Sequence, residues 1–365
     1  MKKILIQMPS ADYGNNRMFN PNIGGNTSYM KFTILKQKMS ELGYELMTAD
    51  NNSLKECEGI IFHEHSSLDY YPTFQVKLKN FIRKIFGIHV ETPYPTRKLY
   101  KEAIGAGLRD KLLLILWEAR ATFPLNFSPE LWDKFDHILT CHDDLIAIDP
   151  KKFKKMYLPM EPYEVLKEAV PFKQKKLLVT LAHNKFYSSH KNELFKERRK
   201  LNTYFEKHYP NEFDLYGLRW NRPITRLQIM FPFLVKKYAN YRGHAEDKIG
   251  TLSKYKFNMC YENISDAPGY IADKIFSSFH ARAVPIYWGA PNVTDYIDAD
   301  TFVDRRKFKN NDELAKFLTE MTEKEYNKYL MSADRFMKSE KYAKFLPEDF
   351  CNRIITELGL KNQNK

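Results

Sequence analysis

Tyr270 and Lys274 lie four residues apart, and the carboxylates of Glu262 and Asp273 flank the same stretch, residues 256–289, which reads KFNMCYENISDAPGYIADKIFSSFHARAVPIYWG. An ammonium and a phenol beside two carboxylates suit the gripping of an anion whose neighbouring hydroxyls donate to the acids. The elements that must position them follow from the pattern. The apolar run 257–261 reads as a buried strand. Asp266, Ala267, Pro268 and Gly269 break it with turn formers. From Tyr270 onward Ile271, Ile275 and Phe279 recur at helical spacing, which predicts a helix beginning at Tyr270, and 284–288 predicts a second buried strand ending at Gly289. Strand, loop, helix, strand is the unit of a parallel sheet, whose ligands bind at the carboxyl ends of the strands. The helix N-terminus there offers free N–H groups and partial positive charge to a phosphate. On such a helix Tyr270 and Lys274 leave on the same side. The structural alternative is a Glu262 that caps the loop and a solvated Lys274.

The wording of the segment is more specific than its periodicity. It resembles the donor-binding signature of the α-1,3/4-fucosyltransferases, glycosyltransferase family ten, in Lys256-Phe257, Tyr261-Glu262-Asn263, Gly269-Tyr270-Ile271, Lys274 and Val284-Pro285-Ile286-Tyr287-Trp288-Gly289. The resemblance, to the bacterial soluble type, implies an inverting, GDP-fucose-dependent α-1,3-fucosyltransferase. It implies a GT-B type α/β fold, two Rossmann-like domains with a cleft between them and the nucleotide in the second. It also implies donor contacts from Glu262, Asn263, Tyr270, Asp273 and Lys274. The chain departs from the family at Ala272-Asp273, where Thr-Glu is usual. Aspartate keeps the charge but is one methylene shorter, so a transferase of the same architecture using another GDP-sugar is the alternative.

Inverting transfer passes through an oxocarbenium-like transition state and needs a carboxylate to take the acceptor hydroxyl's proton. Glu118 ends the apolar run 112–117, with Pro124 and Phe127 in the loop beyond, and this looks like the family's segment for its catalytic glutamate. A surface Glu118 paired with Arg120 is the structural alternative. For the diphosphate, the resemblance adds an arginine from the first helix of the second domain, ahead of a strand that here ends Asp214-Leu215-Tyr216-Gly217. Arg198 is preferred over Arg199, because Leu201 and Phe205 follow it at family-like spacings. An arginine fork holds two phosphate oxygens at once. Asp143-Asp144 after His142 is too slight for a metal site, and His63, His65, His89 and His183 lack ligand spacing. The family has no dedicated metal motif, so no tightly bound cofactor is expected, with Mn²⁺ or Mg²⁺ stimulating only through the nucleotide. His63-Glu64-His65 reads either as acceptor-cleft lining or as loop surface.

A chain of 365 residues exceeds what one core usually organises. Apolar runs at 3–7, 59–62, 88–90, 112–117 and 137–140 alternate with helical patterns at 29–42 and 76–86. They predict a parallel-sheet α/β domain over residues 1–160, which the resemblance implies binds the acceptor and carries the base, with loops 11–29 and 64–75 shaping specificity. Pro159, Pro162 and Pro171 punctuate a linker. Runs at 177–181 and 213–217 join the 256–289 stretch in a GDP-sugar-binding domain over residues 161–345. A C-terminal helix and tail, residues 346–365, follow, and such a helix commonly crosses back to the first domain.

Hydrophobic content of 43% with 15% aromatics excludes a disordered chain. The net charge of +13 admits nucleic acid, anionic lipid or an anionic substrate. The densest basic runs, 151–155, 173–176 and 197–200, carry no nucleic-acid fold signature, and most of them read as solvated faces. No nucleic-acid partner is expected, and a non-catalytic nucleic-acid or lipid-surface binding protein is the alternative of another class. The expected acceptor is an oligosaccharide or lipid-linked glycan of the lipopolysaccharide O-antigen kind, reached through peripheral contact with an anionic membrane. No window approaches the ~20 apolar residues of a spanning helix, and no signal-peptide run follows Met8. Cys57, Cys141, Cys260 and Cys351 lack disulfide or metal spacing and read as buried thiols of a reducing compartment, so the expectation is cytoplasmic, at most peripheral to the inner face of the membrane.

Overall fold

The apolar runs assemble into two sheets, and every described strand pair in them is parallel. The structure, a computed structural model, describes residues 2–20, 30–68, 95, 97–161, 163–168, 170–186 and 190–363. Residues 21–29 of the loop 11–29, the segment 69–75, the helix expected at 76–86, the strand expected at 88–90, and Pro162 lie outside them. The chain forms two units, residues 1–157 with 347–365, and residues 158–346.

In the first unit β1 (Lys2–Gln7), β2 (Tyr44–Thr48), β3 (Cys57–His63), β4 (Leu112–Leu116), β5 (His137–Thr140) and β6 (Phe153–Lys155) stand in the order β2-β1-β3-β4-β5-β6. Parallel strands are covered on both faces and therefore read as continuous apolar runs. β4, Leu-Leu-Leu-Ile-Leu, is buried along its whole length. The helix Pro347–Glu357 belongs to this unit. It packs on the helix Met30–Glu41, with the Phe350 ring edge-on to Phe32 at 6.0 Å. Arg353 Nη1 also donates to the carbonyl of Lys155 at 2.7 Å.

In the second unit β7 (Lys176–Leu181), β8 (Phe213–Tyr216), β9 (Tyr255–Tyr261), β10 (Val284–Trp288) and β11 (Val303–Asp304) stand in the order β11-β10-β9-β7-β8. The chain runs from β7 outward to β8 and then returns to the other side of β7 for β9. Such a reversal opens a crevice at the carboxyl ends of the two central strands, where open α/β sheets bind ligands. The residues that follow β7 and β9 are those of the candidate site.

Two expectations are corrected. The lysine-rich run 151–155 is not simply a solvated face, since Phe153–Lys155 is strand β6 and Phe153 is buried. Lys155 is held inward because its ammonium bonds the Cys141 carbonyl at 2.9 Å and Asp143 at 2.6 Å. The helix after β9 begins at Lys274, not Tyr270, for a reason that lies in Glu262. Among the described residues no helix is long and apolar enough to cross a membrane, and all four cysteines are buried thiols.

Candidate active site

Glu262 directly follows β9 and extends its pairing with β10 by one bond, its N–H donating to the Trp288 carbonyl at 2.7 Å. Its side chain is fully enclosed. One carboxylate oxygen accepts the backbone N–H of Ala272 at 2.8 Å and the other accepts Lys274 Nζ at 3.1 Å. A side chain that captures a backbone amide competes with helical pairing there. Gly269, at φ 79°, meanwhile turns its N–H onto Asn292 Oδ1 at 2.9 Å. Residues 270–273 therefore stay outside the helix Lys274–His280, and Tyr270 and Lys274 do not share a helical face. They are gathered another way, through Glu262 and its neighbour. Asn263 Nδ2 donates to the Tyr270 hydroxyl at 3.2 Å. Glu262 thus caps the loop and anchors Lys274, which is the structural side of its two sequence readings; its enclosed carboxylate is not presented to sugar hydroxyls.

Arg198 reaches the same place from the helix Phe195–His208. That helix buries Phe195, Arg198, Leu201, Asn202 and Phe205, a single stripe at i, i+3, i+4 spacing. Arg198 is 3% exposed, and its Nη2 donates to the Tyr261 carbonyl at 2.6 Å and to Asn263 Oδ1 at 3.1 Å. Its Nε has no hydrogen-bond partner among the described residues. Burial lowers this guanidinium to about 10, with the Glu262 charge acting in the opposite sense, so it remains cationic at neutral pH. A buried cation resting on carbonyl oxygens is only partly compensated, and a bound anion would complete its partners. Arg199, one residue out of phase, donates instead to the Lys185 carbonyl at 2.7 Å.

Asp273 is ion-paired with Lys248. Burial works against the Lys248 charge, but the carboxylate outweighs it and leaves the ammonium's pKa raised. Gly289 closes the site from β10. A Cβ there would stand 2.4 Å from Glu262 Cγ and 2.5 Å from the Tyr287 hydroxyl, so only glycine lets the buried Glu262 side chain cross the strand end.

In the first unit the loops after β3 and β4 are clamped together by Glu64. This residue sits at φ 63°, a conformation rare outside glycine, and is 1% exposed. Its Oε1 accepts the N–H groups of Trp117 at 3.1 Å and Glu118 at 3.0 Å. The Asn126 amide donates to its other oxygen while accepting His65 N–H at 2.9 Å. Burial first, and the nearby Glu118 carboxylate second, push Glu64 up to about 8, so it holds its proton at neutral pH. Glu118 itself is half-buried, and its carbonyl lies 3.2 Å from His142 Nε2. Arg120 turns to Asp144 at 3.5 Å and lies over the Phe127 ring.

His63 and Glu64 are corrected from loop surface or cleft lining to interior positions. His63 packs edge-on against Trp117 at 4.1 Å, and burial, then Lys31, lowers its ring to about 3. Glu64 enters the sequence reading only within the stretch His63-Glu64-His65, as cleft lining or loop surface, and not as a clamp on the loop that carries Glu118. Its one signal is position, since it directly follows a strand that pairs with the strand leading to Glu118. Asp143 pairs with Lys155, and among the described residues no three His, Cys, Asp or Glu side chains cluster as metal ligands would.

A family model described as glycosyltransferase family 10 (fucosyltransferase) C-term matches residues 172–363. An α-(1,3)-fucosyltransferase from Helicobacter pylori is 37% identical over 75 residues, 20% of this chain and 16% of that one. An α-(1,4)-fucosyltransferase from Arabidopsis thaliana is 36% identical over 67 residues, 18% of this chain and 16% of that one. The chain thus matches 16% of the length of each of these relatives. The crystal structure of an α1,3-fucosyltransferase with GDP-fucose superposes with a TM-score of 0.52 at 16% identity, over 98% of this chain and 90% of that one. A glycosyltransferase from Rickettsia africae superposes at 0.54 with 10% identity, over 100% and 99%. At such identities the likeness is one of fold, and that fold is the GT-B type of two Rossmann-like α/β units. The matched residues 172–363 make up more than half of the sequence, and the chain belongs to glycosyltransferase family 10, the fucosyltransferases.

Proposed function

We propose that the protein is an inverting α-1,3-fucosyltransferase that moves L-fucose from GDP-fucose to O3 of a GlcNAc or Glc unit in a surface glycan. Arg198 and Lys274 grip the diphosphate, Asn263 with Tyr270 holds the arginine and Glu262 holds the lysine, and Asp273 faces the ribose and sugar. The bond from the sugar's anomeric carbon to the β-phosphate oxygen breaks, its electron pair leaving with GDP, where the two cations meet the growing charge. The acceptor oxygen attacks from the opposite face and gives its proton to Glu118. A Glu64 that holds its proton sets no second negative charge beside Glu118. The observation that carries the reading is Arg198, a buried cation set on Tyr261 and Asn263 beside the Lys274–Glu262 pair.

The protein works at the inner face of the membrane, on an oligosaccharide or lipid-linked glycan of the lipopolysaccharide kind. Positive side chains neutralise the diphosphate, and Mn²⁺ or Mg²⁺ acts only through the nucleotide, so activity survives a chelator. The test is incubation with GDP-fucose and, in turn, lactose, N-acetyllactosamine and the type-one disaccharide, with the product linkage read by NMR. Transfer to O3 is expected; absence of both transfer and GDP binding by calorimetry would overturn the reading. A second donor is favoured by one observation, the engagement of Asp273 by Lys248 at the point where the chain departs from the family's Thr-Glu. Calorimetry with GDP-fucose against GDP-mannose separates the two.

A further inference from the structure

Residues 218–237 of the second unit read LRWNRPITRLQIMFPFLVKK, with five Lys or Arg and no acid. The base of this loop is firmly pinned. Asn221 Oδ1 accepts the Tyr238 N–H at 2.9 Å, and Lys237 Nζ donates to the Asn221 carbonyl at 2.8 Å. Trp220 is buried edge-on to Tyr238, its indole N–H donating to the Ala182 carbonyl at 2.7 Å. The tip is ordered by local bonds. Thr225 caps the short helix Arg226–Met230, accepting Gln228 N–H at 3.2 Å, and a turn Pro232–Leu234 follows.

From this framework the apolar side chains point away from the core. Leu227, Ile229, Met230 and Phe233 are 57%, 68%, 70% and 81% exposed. Single exposed apolar residues are ordinary, but a contiguous group on one projecting loop marks an interaction surface. The charges around the tip choose the partner. Arg219, Arg222 and Arg226 are exposed, and none of them is ion-paired among the described residues. An apolar tip borne on a loop whose exposed charges are all cations matches the boundary between anionic headgroups and acyl chains. A second copy of this +13 chain would instead bring like charges together.

We propose that residues 218–237 dock the protein on an anionic lipid bilayer, with Leu227, Ile229, Met230 and Phe233 entering the headgroup layer and the three arginines at phosphate level. The inference gives a location to the membrane contact of the preceding reading and rests on that reading for its biological setting only. The test is co-flotation of the full chain with vesicles of phosphatidylcholine, with and without phosphatidylglycerol. Anionic vesicles are expected to bind it at least about tenfold more strongly, less so in high salt. The double substitution Ile229→Ser with Phe233→Ser should weaken binding at least about tenfold, with GDP affinity unchanged. As a second measurement, an environment-sensitive fluorophore on Ile229→Cys, the native thiols being buried, should shift its emission on anionic vesicles and be quenched by brominated lipid. Vesicle binding that ignores both substitutions, an unshifted fluorophore, or concentration-dependent self-association abolished by the double substitution without any vesicle binding would each overturn the proposal. Failure of GDP binding in the unmodified chain would count against the donor site alone.

Discussion

The buried carboxylate of Glu64 accepts the backbone N–H of Glu118 at 3.0 Å, and so one acid fixes the direction in which the other leaves the end of β4. The same oxygen also holds Trp117, which leaves the turn little freedom. Glu64→Gln keeps the size and one acceptor oxygen but sets an amide against the Asn126 amide. Misplacing a catalytic group by about 1 Å costs on the order of 100-fold in rate. The expected outcome is a fall in kcat of about 10- to 100-fold with GDP affinity and KM for the acceptor nearly unchanged; an unaltered kcat would remove Glu64 as a positioning residue.

The same group gives a pH signature. Glu64 is raised from its ordinary 4.5 to about 8 in the folded chain, burial being the larger cause and the Glu118 charge the second. A carboxyl that is easier to protonate when folded favours the fold most below about 4.5, and that contribution is withdrawn as pH rises through 8. Denaturant midpoints are therefore expected to fall between about pH 4.5 and pH 8, and the Glu64→Gln variant should show a flatter profile over the same window. A parallel decline in both proteins would assign the pH dependence elsewhere.

Glu118→Gln separates binding from chemistry. The amide cannot accept the acceptor's proton, so turnover should drop by about two to four orders of magnitude. Calorimetry with GDP should give the unmodified protein's Kd, because the diphosphate contacts are assigned to the second unit. Undiminished turnover would discard the base.

The two adjacent arginines predict opposite results. Arg198 is buried against Tyr261 and Asn263, while Arg199 is half-buried and bonded to the Lys185 carbonyl. A lysine cannot reproduce the planar fork. Losing one charged hydrogen bond costs about 1.5–3 kcal/mol, so Arg198→Lys should weaken GDP about 10- to 100-fold. Arg199→Lys should change Kd less than about threefold, and the reverse ranking would move the phosphate contact to Arg199.

How far these features could be read from the sequence depends on how local their causes are. β4 was legible because five consecutive apolar residues admit little else; Arg198 was preferred on the family-like spacing of Leu201 and Phe205, and the helix buries all three on one stripe. The start of the helix at Lys274 was not legible. Ile271, Ile275 and Phe279 keep helical spacing whether or not Ala272 N–H is drawn off by Glu262, ten residues earlier. β2 and β6 escape a search for apolar runs because β2 alternates buried and half-buried positions and β6 carries two lysines. The Glu64 clamp joins residues more than fifty positions apart, a relationship that no window along the chain contains.

Gly289 offers a test of the donor loop from outside its charged residues. A methyl group there would press on Glu262 Cγ and Cβ, at 2.4 and 2.9 Å, and on the Tyr287 hydroxyl at 2.5 Å, inside a region without free space. Overpacking of this kind costs about 1–3 kcal/mol. Glu262 cannot withdraw without releasing Ala272 N–H and Lys274 together, since its two oxygens hold one each. Gly289→Ala is therefore expected to lower the thermal midpoint and to weaken GDP in the same variant, although residue 289 is assigned no contact with the nucleotide. Glu262→Gln, which removes the charge that holds Lys274 while leaving room for glycine, should weaken GDP with a smaller loss of stability. A Gly289→Ala protein that is destabilised yet binds GDP with undiminished affinity would show that Lys274 does not depend on Glu262 for its position.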